Sequence, residues 1–126
     1  MTAVRAHDAA DNELGTRCET QIDRPEWDAY VRKHQKGSFF HLSGWCETVR
    51  DAYGYEPAYI PARRNGSLAG IMPIVDVQAP LLGRSLISTA FTVGGGPLAN
   101  DDEALKALLS AAIAAGEDKR VKYIEC

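Results

Sequence analysis

Apolar positions change their period several times along this chain, and each change marks an element. Trp27, Tyr30, Val31 and His34 fall at i, i+3, i+4 and i+7, one face of a helix. Asp23 stands where an N-cap belongs, Pro25 and Glu26 suit the first turn, and Gly37 supplies a stop. Ser43 is a second candidate N-cap, with Trp45, Val49, Ala52 and Tyr53 as the following stripe and Gly54 as its end. Before the first helix, Cys18 to Ile22 reads as a weak strand.

The period then drops to two. Tyr55 to Arg64 and Ser67 to Gln78 flank Asn65-Gly66, a strong hairpin signal because both turn residues must accept positive φ. The turn places Ala62 and Ala69 across from each other. Pro57 and Pro61 fit the first of these strands if it lies near a sheet margin or a bulge, whereas Leu68 to Val77 is apolar on both faces and reads as central. Ser85 to Thr89 is a further short strand. Leu105, Leu108, Leu109, Ala112 and Ile113 form the sheet-facing stripe of a last helix, Asp101 to Gly116, capped by Asn100, and Val121 to Cys126 begins another strand. The predicted order is β-α-α-β-β-β-α-β, an α/β fold with a mixed sheet. The chain stops inside its last strand, so residues 18–126 read as the front part of a larger domain, behind a disordered lead of residues 1–17.

Charge and composition narrow the function classes. A net charge of −3 and a pI near 5.6 argue against a general nucleic-acid or anionic-membrane binder, which needs a clustered positive field. The three cysteines, Cys18, Cys46 and Cys126, lack metal-ligand spacing and read as reduced cytosolic thiols. No apolar stretch approaches the roughly twenty residues that span a bilayer, and Met1 to Leu14 carries charges where a secretory signal would be apolar. The expected location is the cytoplasm.

Between the short strand and the last helix lies Val93-Gly-Gly-Gly-Pro97, and glycines before a crossover helix are where acyltransferase-like and nucleotide-binding folds place a ligand. Three glycines can form an anion nest. Pro97, however, removes a donor, and Asp101, Asp102 and Glu103 occupy the first helical turn, where they stabilise the helix and repel a pyrophosphate. A tight turn that permits close packing, or contact with a carbohydrate or peptide, is the alternative. Arg63, Arg64 and Arg84 can grip a phosphate or serve as solvated turn charges. His34 and His41 lack partners at a useful spacing and read as capping or packing residues, and Cys46 reads as a buried thiol.

Several short motifs carry a resemblance: Trp27, Phe39-Phe40-His41-x-x-x-Trp45, Tyr53-Gly54, Ala69-Gly70-Ile71-Met72-Pro73-Ile74, Gly83-Arg84-Ser85-Leu86-Ile87-Ser88 and Gly95-Gly96-Pro97. Together, over roughly Gln21 to Cys126, they resemble the N-terminal half of FemAB-family proteins, most nearly the FemAB-like GNAT proteins associated with exopolysaccharide and exosortase loci. The resemblance implies a GNAT-like domain cut before its last helix and strands, with a C-terminal GNAT domain as intramolecular partner. It implies transfer of an acyl or aminoacyl group to an amine of a peptidoglycan or other cell-envelope or polysaccharide precursor. Acyl-CoA or aminoacyl-tRNA would be the donor in the intact protein, with tRNA contact only there. This chain alone is expected to bind no cofactor and no metal and to be inactive by itself. The candidate substrate contacts are Arg84, Ser88, Phe91, Gly94, Gly95 and Gly96, with no catalytic residue assigned. The competing reading is a non-catalytic pseudo-GNAT module that binds a precursor or docks on a partner domain.

Overall fold

The computed structural model describes residues 14–79, 83–88, 96–121 and 123–125. The elements are β1 (Gly15–Thr16), α1 (Arg24–Lys33), a 3-10 turn (Phe39–His41), α2 (Ser43–Tyr53), β2 (Glu56–Arg64), β3 (Ser67–Ala79), β4 (Gly83–Ser88), β5 (Leu98–Ala99), α3 (Asp102–Lys119) and β6 (Tyr123–Glu125). The predicted order therefore holds, with one two-residue strand, β5, added. The sheet runs β1-β2-β3-β4-β6, and β5 also pairs with β3. All pairs are antiparallel except β4 with β6, which are joined through α3.

Strand alternation divides the core in two. Ala58, Ile60, Ala62, Met72, Ile74 and Leu86 face α3, where Leu108 and Ala112 meet them. Tyr59 and Ile71 face the other way, toward Trp27 and Val31 of α1 and Cys46 of α2, and Val75 packs on Val49. The result is a helix layer on each side of the sheet. Trp27 anchors one side: it is buried, its ring stands edge-on to Tyr59 at 5.1 Å, and its Nε1–H donates to His41 O at 2.9 Å.

The first strand is not Cys18 to Ile22. Pairing occurs at Gly15 with Arg63 and Thr16 with Ala62, inside the stretch expected as lead, and again as a single bridge between Glu19 and Tyr59. Both pairings share one register, which sets Arg17 opposite Pro61. Tyr59 turns its N–H outward to Glu19 O at 2.7 Å, so Pro57 and Pro61, two residues away on either side, also face outward and bring no donor. The strand is split where the ladder lacks an N–H.

The hairpin forms with Asn65 at φ 55° and Gly66 at φ 83°. A bulge after Ala62 makes Gly70, not Ala69, its partner. Gly70 is needed there, because a Cβ would lie 3.0 Å from Leu108 Cδ1 and 3.0 Å from Leu98 O. The last helix is likewise rotated from the predicted stripe: Ala104, Leu108, Ala112 and Gly116 are buried while Ile113 is 55% exposed. These smaller residues let α3 lie close on the sheet, with Gly116 against Ile124 and Val121, so the helix passes through Gly116 to Lys119. Its N-cap is Asp101 rather than Asn100, with the carboxylate accepting from Ala104 N–H at 2.9 Å.

Helix α1 starts as predicted, with Asp23 accepting from Glu26 N–H. Helix α2 does not. Ser43 is its first residue rather than its cap, and the capping acceptor comes from α1: Asp28 takes the Ser43 N–H at 2.8 Å and the Ser43 Oγ–H at 2.9 Å. The inward residues are then Ser43, Cys46 and Val49, while Ala52 and Tyr53 are exposed.

Candidate functional site

The edge of β3 that faces β4 carries two described pairings. Ser88, the last residue of β4, pairs with Ile74, and Leu98, the first of β5, pairs with Ile71. Asn100 N–H reaches Ala69 O at 2.8 Å, so the odd-numbered backbone groups of β3 point to this edge. Pro73 is one of them and falls between the two pairings. A proline is thus accommodated in this central strand at a position that, among the described residues, no pairing on this edge uses.

Two histidines fasten the segment that carries β5. The 3-10 turn begins at Ser38, whose N–H donates to His41 Nδ1 at 3.2 Å, with Ser38 Oγ 2.8 Å from the same atom. An Nδ1 that accepts leaves the proton on Nε2, which donates to Gly96 O at 3.1 Å. Burial holds the His41 pKa below its ordinary value, the Gly96 carbonyl opposes that, and His34 adds to it. His34 follows the same pattern: Lys36 N–H donates to Nδ1 at 3.0 Å, and Nε2 lies 2.9 Å from Ala99 O. Both rings position backbone, as packing and capping residues do.

Of the candidate substrate contacts, Phe91, Gly94 and Gly95 lie outside the described residues. Gly96 is buried at φ 109°, a conformation that suits glycine. Ser88 is buried at the end of β4. Arg84 shares its sheet face but lies about 13 Å along the strand from it. Its guanidinium binds the buried Asp76 in two places, Nε to Oδ1 at 2.8 Å and Nη2 to Oδ2 at 2.6 Å. The other arginines are engaged too. Arg63 forks onto Glu26 at 2.9 and 2.7 Å, and Arg64 spans Asp101 at 2.9 Å and Glu103 at 2.7 Å. Each of the three is thus paired with a carboxylate.

Sequence reasoning missed a cavity of about 790 Å³ between α1 and the β2–β3 hairpin. Glu26, Tyr30, Lys33 and Lys36 line one side, and Ser67, Leu68 and Asn100 the other. Tyr30 Oη–H donates to Asn100 Oδ1 at 2.7 Å, with Ala69 O at 3.2 Å, and burial with Asp101 nearby pushes its pKa up to about 12. In the sequence Tyr30 shows only as part of a helical stripe. No periodicity shows that the end of that stripe meets Asn100, seventy positions away.

Cys46 is a buried free thiol, and burial pushes its pKa up to about 11. Among the described residues no group of His, Cys, Asp and Glu is placed to hold a metal ion, and no helix is long and apolar enough to cross a membrane.

No family model matches the sequence, and no curated protein does. A solved structure does match in shape: the ribosomal-protein-alanine N-acetyltransferase from Brucella melitensis biovar Abortus 2308, with 15% sequence identity and a TM-score of 0.60, over 90% of this chain and 79% of that one. The antiparallel strands, the α3 crossover and the parallel β6 make the fold of this chain GNAT-like.

Proposed function

We propose that this chain is a GNAT-like N-acyltransferase domain of FemAB type, acting on an amine of a cell-envelope or polysaccharide precursor. The observation that carries this reading is the GNAT-like sheet, in which an antiparallel meander passes through α3 to a parallel strand. In such transfer the amine attacks an activated acyl carbonyl, a C–N bond forms, the thioester or ester bond to the carrier breaks, and a base takes the amine proton. Positioning and backbone N–H donors at the carbonyl oxygen supply most of the help.

One observation favours a second reading, a precursor-binding domain that does not hold the donor. The start of α3 is filled by its own Asp101 cap, by Asp102 and Glu103, and by Arg64, which is committed to two of those carboxylates. A coenzyme A pyrophosphate would meet negative charge there rather than free N–H donors. Acetyl-CoA is accordingly expected to bind more weakly than about 1 mM, or about −4 kcal/mol.

The test offers the protein acetyl-CoA and aminoacyl-tRNA separately, each with a peptidoglycan-precursor pentapeptide amine, and follows N-acylated product by mass spectrometry and precursor binding by calorimetry. Product with either donor supports the transferase. Saturable precursor binding without product selects the second reading, and neither product nor binding overturns both.

A further inference from the structure

The cavity between α1 and the β2–β3 hairpin has the size of a small-molecule site, for which about 300 to 1,000 Å³ is typical. Its base is fixed by three contacts that join α1 to the strand end beside it: His34 Nε2 to Ala99 O at 2.9 Å, Tyr30 Oη to Asn100 Oδ1 at 2.7 Å, and Asn100 N to Ala69 O at 2.8 Å. A ligand there would meet a surface already held in place, which lowers the ordering cost of binding.

Charge decides what that ligand is. Glu26 is the one carboxylate among the lining residues, and both its oxygens accept from Arg63, which holds its pKa below the ordinary glutamate value. Lys33 and Lys36 also line the cavity, and among the described residues neither forms an ion pair. The uncompensated charge is therefore two ammonium groups, in a chain whose net charge is −3. Lys33 is in the last turn of α1, where the helix dipole alone would favour it, but Lys36 lies beyond the helix and is not explained that way. Ser67 and Asn100 add polar groups on the opposite wall, and Leu68 adds an apolar one.

We propose that this cavity binds a small molecule through an anionic group, a phosphate or a carboxylate, held between Lys33 and Lys36, with its polar body against Ser67 and Asn100. The site does not depend on the acyltransferase reading, and its test requires no turnover.

The test is a ¹H–¹⁵N chemical-shift titration of the full chain with glucose phosphate and with N-acetylglycine, against glucose and N-acetylglycinamide as neutral matches. A saturable shift of Lys33, Lys36, Ser67 and Asn100 with a charged probe, and none with its neutral match, is the expected result. Response to one charged probe alone identifies the anion as phosphate or carboxylate. Lys33→Gln with Lys36→Gln should weaken that binding at least about tenfold, as should raising salt from about 0.1 to about 1 M, where the screening length falls from about 10 to about 3 Å. Ser67→Trp, at an exposed position, should block the cavity with the charges intact. Equal shifts from charged and neutral probes, no saturable shift, or unchanged affinity in both variants would overturn the proposal.

Discussion

Removing the Asp28 carboxylate tests how the two helices on one face of the sheet are held together. Asp28 of α1 receives both the N–H and the Oγ–H of Ser43, which is fully buried at the start of α2. Arg24 extends the contact, with Nε donating to Ser43 Oγ at 3.1 Å and Nη1 2.8 Å from Glu47. In Asp28→Ala the Ser43 N–H keeps no acceptor, and water reaches it only through the space the side chain leaves. A hydrogen bond to a charged group contributes about 1.5 to 3 kcal/mol. A carboxylate at a helix start adds about 0.3 to 1 kcal/mol. Asp28 is only partly buried, so the lower part of the combined range applies, and Asp28→Ala should cost about 2 to 3 kcal/mol. Ser43→Ala removes the hydroxyl but leaves the backbone N–H bonded to Asp28, and should cost about 1 kcal/mol.

Urea unfolding of the two single variants and the double variant separates the contributions. The double variant should lose little more than Asp28→Ala alone, since the Ser43 hydroxyl has lost its main acceptor by then. If Asp28→Ala costs no more than Ser43→Ala, or if the single costs simply add, the carboxylate is not the cap of α2 and the account of the helix pair fails.

Other perturbations probe the segment around β5 and the hairpin. Burial lowers the His41 pKa from 6.5, so its neutral form stabilises the fold fully above the unfolded pKa, and that stability is lost as pH falls below about 6.5 toward the folded value. The urea midpoint should therefore drop between about pH 7.5 and about pH 5.5, and by less in His41→Gln; an equal drop in both proteins would refute the assignment. Gly70→Ala forces a Cβ to 3.0 Å from Leu108 Cδ1 and Leu98 O and should cost about 1 to 3 kcal/mol in the same assay, whereas a neutral result would show that α3 yields freely.

Much of the fold was legible because it rests on local rules. Asn65-Gly66 dictates its turn through positive φ, Asp23 and Pro25 start α1, and the unbroken apolar run Ile71 to Val75 makes β3 buried on both sides. The errors share a cause, which is that a stripe gives a helix but not its rotation against the sheet. Ile113 looked inward because it is large, yet the close approach permitted by Gly70 and Gly116 selects the row of Ala104, Leu108 and Ala112 instead. Ser43 had the composition of a cap, but a cap supplied from another helix leaves no trace at the spacing where caps are sought.

The candidate site was less legible for a further reason: its chemistry is decided by which charges are already paired. In the sequence, Arg63, Arg64 and Arg84 read alike, as solvated turn charges or as phosphate grips. In the fold each is committed to carboxylates from another element or strand: Glu26 of α1, Asp101 and Glu103 at α3, and Asp76 of β3. Among the described residues that line the cavity, the unpaired positive charge is instead on Lys33 and Lys36, two residues with no motif to recommend them. Pairing inverts the sequence ranking. An arginine bound bidentately at 2.6 to 2.9 Å must give up those bonds before it can receive a ligand anion, whereas a solvated ammonium gives up only water. On that ground ligand anions should be sought first in the cavity beside α1, and only then along the arginines of the hairpin and β4.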